Sequence, residues 1–227
     1  SELFIHVEFQ NLRIDWKILW RILKIGVPAG IQGAVFSLSN IVVQSAINSL
    51  GKVTMAASSA AFNVEIMAYY ILNSFGQACT TFVGQNYGAG KIDRCKKTLS
   101  LALIYGVSLM MIGVLCFELI PGQMLHVFSH DAEVIRIGKV AFRIIAVSFI
   151  PLVTSLTFPV FFQAVGKAFT SSVLTVVRTV FLFVPLGYAF SRIGLNFFWL
   201  TFPVTDIITS IAGFLLYRRF LRFTKSS

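Results

Sequence analysis

Long apolar stretches separated by mostly short breaks fill this chain from residue 25 to residue 217. A helix of about 20 mostly apolar residues crosses a hydrocarbon core of about 30 Å, and each stretch approaches or exceeds that length. Short connections are typical of antiparallel neighbours in a helical bundle. The pattern predicts an all-α integral membrane protein, a bundle of six transmembrane helices at 25–50, 55–83, 99–120, 140–164, 173–190 and 197–217.

Polar side chains interrupt the apolar stretches, and at membrane depth each one costs free energy unless it faces a partner or water. In the first stretch Asn40, Gln44 and Asn48 share one helical face with three glycines. Glycines allow a neighbouring helix to approach closely, and amides can hydrogen-bond across that contact. The face is therefore either a helix–helix contact or a cavity wall that offers hydrogen bonds to a solute. A chain with many such groups is typical of a transporter.

The second stretch carries polar residues on two sides. One narrow arc holds Ser59, Asn63, Tyr70, Asn73, Ser74 and Gln77. Glu65 lies on a different side, near Tyr69. A carboxylate at this depth costs roughly 2.5–3.5 kcal/mol on insertion scales, so we expect Glu65 to be protonated, paired or hydrated. Glu65 is either a group for ion coupling or ligand contact, or a structural hydrogen-bonding group between helices.

Two further charges fall inside predicted spans, Arg178 in the fifth and Asp206 in the sixth. Opposite signs on neighbouring spans predict an ion pair within the membrane, which would reduce the cost of burying both groups. The alternative is that each side chain contacts backbone or water separately.

Four prolines lie inside the last three predicted spans: Pro151, Pro159, Pro185 and Pro203. A proline within a helix frees a backbone carbonyl and kinks the helix. In carriers such kinks allow bending between two states. Static packing is the alternative reading for each of them.

Charge placement indicates a membrane rather than a nucleic-acid partner. The net charge is +10, but only 12% of residues are charged, about half the share of a soluble domain. The basic residues gather at the ends of the apolar stretches and favour one side, which predicts cytoplasmic termini and a lipid bilayer as the partner. Residues 1–24 are expected to be a linker with an amphipathic interfacial helix, or else an extension of the first span. Residues 218–227 are expected to be a basic cytoplasmic tail.

Signals for catalysis or metal binding are weak. The run 84–91 lacks the first glycine and the hydroxyl of a Walker A loop, so ATP is not expected there. His126 and His130 lie in a segment expected to be a solvated loop, and the three cysteines form no CxxC pair. We therefore expect no enzyme, no catalytic residue, no metal site and no cofactor.

Several segments resemble the multidrug and toxic compound extrusion (MATE) family. They are Gly26-Val27-Pro28, Gly76-Gln77-Ala78, Gly84-Gln85-Asn86-Tyr87-Gly88-Ala89-Gly90, and Arg178 ahead of Pro185-Leu186. More narrowly, Asn63-Val64-Glu65 and Pro203-Val204-Thr205-Asp206 resemble its bacterial branch related to the damage-inducible transporters. Family members have twelve helices in two six-helix lobes around a central cavity. The resemblance implies that this chain is the C-terminal lobe with the preceding linker, and its start at Ser1 rather than Met suggests a missing N-terminal lobe.

The resemblance also implies a function. It predicts an antiporter of the bacterial inner membrane that exports organic cations, drugs or amphiphiles in exchange for Na⁺ or H⁺ by alternating access. One branch carries an acidic residue in the first span where this chain has Phe36, so coupling is expected at Glu65, Asp206 or the missing lobe. The expected substrate and cation pathway comprises Asn40, Gln44, Asn63, Glu65, Gln77, Arg178 and Asp206. A lipid-linked oligosaccharide flippase of the same superfamily and a non-transporting membrane subunit are the alternatives.

Overall fold

The computed structural model describes residues 13–48 and 52–225, and these form helices joined by short turns, with no strand among them. In chain order the helices are α1 (Trp16–Asn48), α2 (Lys52–Gly88), α3 (Ile92–Leu119), α4 (Pro121–His126), α5 (Ala132–Ala164), α6 (Ala168–Val176), a π-helix (Val177–Phe183), α7 (Val184–Ile193) and α8 (Leu195–Lys225). The predicted all-α fold class is confirmed.

Five helical stretches of the described chain are long and apolar enough to cross a membrane. They are Trp16–Val42, Ile92–Leu119, Ala132–Ala164, Ala168–Ile193 and Leu195–Phe223. Helix α2 is 37 residues long and is not one of them, so it falls short in apolar composition rather than in length. The polar residues set into it, Glu65 among them, account for this. The predicted six spans correspond to α1, α2, α3, α5, the α6–α7 stretch and α8.

Two predicted breaks are shorter in the structure. The break at 84–97 was wrong in extent, because α2 continues to Gly88 and α3 begins at Ile92. Gly90, with φ of +71°, makes the turn, and a side chain there would be strained. The break at 121–139 contains α4 and the start of α5. Asp131 caps α5, since its carboxylate accepts a hydrogen bond of 2.8 Å from the Glu133 backbone N–H.

The expected linker is described only from residue 13; residues 1–12, 49–51 and 226–227 lie outside the described residues. Helix α1 begins at Trp16 and continues through residue 25 without a break. Asp15 caps it by accepting a hydrogen bond of 2.8 Å from the Lys17 N–H. Residues 16–24 are thus continuous with the helix of the first predicted span. Their position in the headgroup region stays a prediction.

Helix α5 is the centre of the bundle and packs against α2, α3, α6 and α8. Its phenylalanines Phe142 and Phe149 are fully buried. Small residues let the neighbours come close: a Cβ placed on Gly213 of α8 would lie 2.8 Å from a ring atom of Phe158 on α5. Within a bilayer, where apolar side chains gain nothing by leaving lipid, such close packing stabilises helix association.

The stretch from Ala168 to Ile193 changes its winding in the middle. The π-helix Val177–Phe183 ends where the Val184 N–H donates to the Thr179 carbonyl, five residues earlier. Pro185 follows directly and has no N–H for the ordinary bond to the carbonyl four residues earlier. The wider turn carries Arg178, so it sets the direction in which the charged side chain leaves this helix.

Candidate functional site

A cavity of about 430 Å³ lies between α1, α2, α5, α6 and the π-helix. Polar groups from all of these elements line it, including Gln32, Asn73, Gln77, Gln163, Thr175 and Arg178. Apolar residues such as Leu72 and Val160 complete the wall. Amides and hydroxyls beside apolar surface are what a site for an amphiphilic solute requires, because a few hydrogen bonds orient a ligand that is otherwise held by apolar contact.

A second, smaller cavity of about 50 Å³ adjoins the first. Glu65, Asn40 and Ser39 line it. The two cavities share four wall residues: Phe36, Tyr69, Arg178 and Thr179. The rings of Phe36 and Tyr69 are stacked with centroids 5.3 Å apart, and so form a common partition.

The ion pair predicted for Arg178 and Asp206 is present. The Arg178 Nε donates to Asp206 Oδ1 over 2.7 Å, and the side chains are 13% and 1% exposed. The hydroxyl of Ser155 donates to the same oxygen over 2.8 Å. Asp206 lines neither cavity. Its carboxylate instead holds the guanidinium that lines both.

Three buried oxygens near the ion pair have no hydrogen-bond partner in the described part of the chain: Asp206 Oδ2, Ser171 Oγ and Thr179 Oγ1. Ser171 and Thr179 line the larger cavity. A buried polar group without a partner is costly, so these two hydroxyls are unsatisfied polar groups in the wall of the larger cavity.

The remaining predicted pathway residues fall into two groups. Asn40 lines the smaller cavity and Gln77 the larger one. Gln44 lines neither, and its amide donates to Asn48 Oδ1 on the same helix over 3.0 Å. Asn63 is exposed on α2 and also lines neither cavity. The structure therefore does not bring Gln44 and Asn63 to the site.

Gln32 is a site residue that sequence reasoning missed. Its side-chain amide donates to Ser172 Oγ over 2.9 Å and accepts from Thr175 Oγ1 over 3.3 Å, which ties α1 to α6. Gln32 lies off the helical face that the glycines and the other amides of α1 share, so helical periodicity did not indicate it as a site residue. The available signal was an amide among the apolar residues of a span, directly before Gly33.

The MatE family model matches residues 28–189, which is most of the chain. The chain belongs to the MatE family. The MatE match takes in the helices that line the larger cavity.

Curated relatives of this MatE chain include two bacterial proteins. A FAD transporter of Shewanella oneidensis is 22% identical over 221 residues, which cover 97% of this chain and 48% of that protein. The probable multidrug resistance protein YoeA of Bacillus subtilis is 28% identical over 127 residues, covering 56% of this chain and 27% of that protein. The chain spans about half the length of the curated relatives it matches along its whole length.

Solved structures show the same MatE fold. An outward-facing multidrug resistance MATE family transporter of the MOP superfamily superposes with a TM-score of 0.91 at 20% identity, covering 100% of this chain and 51% of that chain. A MOP superfamily transporter from Pyrococcus furiosus superposes with a TM-score of 0.90 at 20% identity, covering 99% of this chain and 51% of that one.

Proposed function

We propose that this chain forms the C-terminal six-helix lobe of a cation-coupled antiporter that exports organic cations, drugs or amphiphilic toxic compounds. It is thus a transport protein rather than an enzyme. The observation that carries the proposal is the polar cavity of about 430 Å³ inside a bundle of membrane helices. Membership of the MatE family and a relative named as a probable multidrug resistance protein support it.

The proposed mechanism is alternating access with a partner lobe. Glu65 in the smaller cavity and Asp206 behind Arg178 are the acidic groups at the site. Binding of H⁺ or Na⁺ at Glu65 changes the charge that faces Arg178, and so competes with a cationic substrate for the same negative charge. The aromatic pair of Phe36 and Tyr69 offers ring faces to a flat cationic solute.

The basic residues support cytoplasmic termini in a bacterial inner membrane. Lys167, in the turn between α5 and α6, lies 4.7 Å from the ring centre of Phe220 on α8. The α5–α6 turn and the end of α8 are therefore at the same end of the bundle, and both are basic. A side rich in Lys and Arg is the cytoplasmic one under the positive-inside rule.

Export of an anionic aromatic compound is a second candidate. Arg178 lines both cavities and so presents a cation to a solute in either one. The relative whose match covers 97% of this chain is named as a FAD transporter, and FAD carries phosphate groups. Neutralisation of Arg178 by Asp206 weakens this candidate relative to the first.

Transport measurements separate the two candidates. Cells that express the natural protein carrying this chain are loaded with ethidium, and efflux is followed under imposed Na⁺ or H⁺ gradients; export of FAD is measured in parallel. We expect gradient-dependent ethidium efflux that Glu65→Gln abolishes. Glu118→Gln is the matched control, because that carboxylate lies outside both cavities and half-exposed near Arg143. Export of FAD without ethidium efflux would select the second candidate, and the absence of both would refute the proposal.

Labelling of single cysteines tests whether the cavity is wet. The native cysteines Cys79, Cys95 and Cys116 are first replaced by serine. We expect Gln77→Cys to react with a membrane-impermeant maleimide in at least one state of the transport cycle. Ile104→Cys, an exposed apolar position on α3 that faces lipid in the proposed arrangement, should stay unlabelled. An unreactive Gln77→Cys in every state would remove the cavity from the transport path.

A further inference from the structure

The end of α8 has two different faces. On one face Tyr217 and Phe220 pack against phenylalanines of α5; the Phe161 and Phe220 ring centroids are 5.7 Å apart. The opposite face is exposed. It consists of Leu215, Arg218, Arg219, Arg222 and Phe223, and we call it the basic face of α8.

The basic face concentrates positive charge. Arg222 follows Arg219 by three residues and Arg218 by four, so the three arginines project from one side of the helix. They line a groove of about 550 Å³. No arginine of the three forms an ion pair with an acidic side chain of residues 13–48 or 52–225. Arg218 lies 5.9 Å from the ring centre of Phe214, and Arg219 lies 5.7 Å from that of Phe223. These ring contacts orient the guanidinium groups without neutralising them.

The basic face continues into an apolar surface further into the span. Ile207, Ile211 and Leu215 follow one another at helical spacing and are 45%, 56% and 59% exposed. The outer side of α8 therefore passes, along one line, from aliphatic side chains to arginines. This order matches a phospholipid, whose acyl chains lie in the hydrocarbon core and whose phosphate lies at the membrane surface.

We propose that the basic face of α8 binds the headgroup of an anionic phospholipid, with an acyl chain along Ile211 and Leu215. Guanidinium groups bind phosphate oxygens in pairs of parallel hydrogen bonds, and three of them within two turns enclose one phosphate more fully than a single lysine does. Basic clusters at the end of a transmembrane helix attract anionic lipid in general. The aliphatic line beneath the arginines is what selects a lipid over a free phosphate.

The test measures binding directly. The natural protein carrying this chain is purified in a neutral detergent, and a short-chain phosphatidylglycerol is titrated while the melting temperature is recorded. Ligand binding to the folded state raises that temperature, and above the dissociation constant the rise grows with the logarithm of the ligand concentration. Each basic residue contributes roughly fivefold in affinity, so Arg218→Gln/Arg219→Gln/Arg222→Gln should bind about a hundredfold more weakly. Added salt should weaken wild-type binding as well.

Three controls decide the outcome. Lys91→Gln/Arg94→Gln/Lys97→Gln removes the same charge from exposed positions in the α2–α3 turn and the start of α3, and should leave the affinity unchanged. Short-chain phosphatidylcholine should bind far more weakly than phosphatidylglycerol, and glycerol phosphate should not bind. Equal loss of affinity in both triple variants would mean that diffuse surface charge attracts the lipid, and so overturn the proposal. Equal binding of phosphatidylcholine or of glycerol phosphate would overturn it too.

Discussion

The pair of Arg178 and Asp206 allows a quantitative test of how the site is held together. Both groups are withdrawn from solvent, with 13% and 1% of their side chains exposed. Removing one partner of a buried pair typically costs about 3–5 kcal/mol, because the other charge is left unpaired. Arg178 lines two cavities, so we expect the lower end, about 3 kcal/mol, for Asp206→Asn. Arg178→Gln leaves the 1% exposed Asp206 carboxylate unpaired and away from both cavities, so we expect the upper end, about 5 kcal/mol. The double variant leaves no unpaired charge, so its loss should fall short of the sum by about 2–3 kcal/mol.

The assay is a double-mutant cycle on the free energy of unfolding in detergent. Glu133 and Arg136 form the control pair: their hydrogen bonds are as short, at 2.6 and 2.9 Å, but both side chains are at least half-exposed. We expect no measurable coupling there, because solvent screens the charges. Transport adds an independent reading: Arg178→Asp should inactivate export, and Arg178→Asp/Asp206→Arg should partly restore it. If the losses at Arg178 and Asp206 add within about 0.5 kcal/mol, the ion pair does not hold the site.

Two further variants probe the packing around the central helix, each read as a change in melting temperature and unfolding free energy. Gly213→Ala should destabilise the bundle by about 1–3 kcal/mol, because its Cβ would lie 2.8 Å from the Phe158 ring, whereas Gly84→Ala meets no atom within 3.4 Å and should not. An unchanged Gly213→Ala protein would show that α8 can move away from α5 freely. Ser155→Ala should cost about 1.5 kcal/mol, because it removes a hydrogen bond to a buried carboxylate. Ser148→Ala, whose hydroxyl bonds only to a backbone carbonyl, should cost less, and equal losses would contradict this account.

The ion pair was the part of the site that could be predicted from the sequence. Few ionised groups are tolerated inside a membrane, so Arg178 and Asp206 on successive spans constrained each other, and the structure confirms their ion pair. Ser155, the second partner of Asp206, gave no comparable signal. A serine within a span can bond to its own helix backbone, as Ser155 also does with the Leu152 carbonyl, so its type alone does not reveal a partner on another helix.

Helical periodicity predicted faces but not what those faces meet. Asn40 and Gln44 share a side of α1, yet only Asn40 lines a cavity, because the end of α1 beyond it lies away from both cavities. Gln32 was missed because its place in the site depends on hydrogen bonds with Ser172 and Thr175, which are about 140 residues further along the chain. Tertiary contacts of this kind leave no trace in a local pattern.

Helix boundaries show the same limit. The glycines between residues 84 and 90 indicated a flexible turn, but only Gly90 adopts a backbone that requires glycine. The short helix α4 begins at Pro121, a residue type suited to the first turn, inside a segment expected to be a loop. Pro185 signalled an irregular helix, and the π-helix ahead of it lay beyond what a proline alone specifies.

Arg178 is the one charged residue among the four that separate the two cavities. The electrostatic potential in one cavity therefore depends on what is bound in the other. A ligand or ion that attracts the guanidinium into one cavity draws the same charge away from the other, because Arg178 lines both. The position of the Arg178 side chain therefore links the electrostatics of the two cavities.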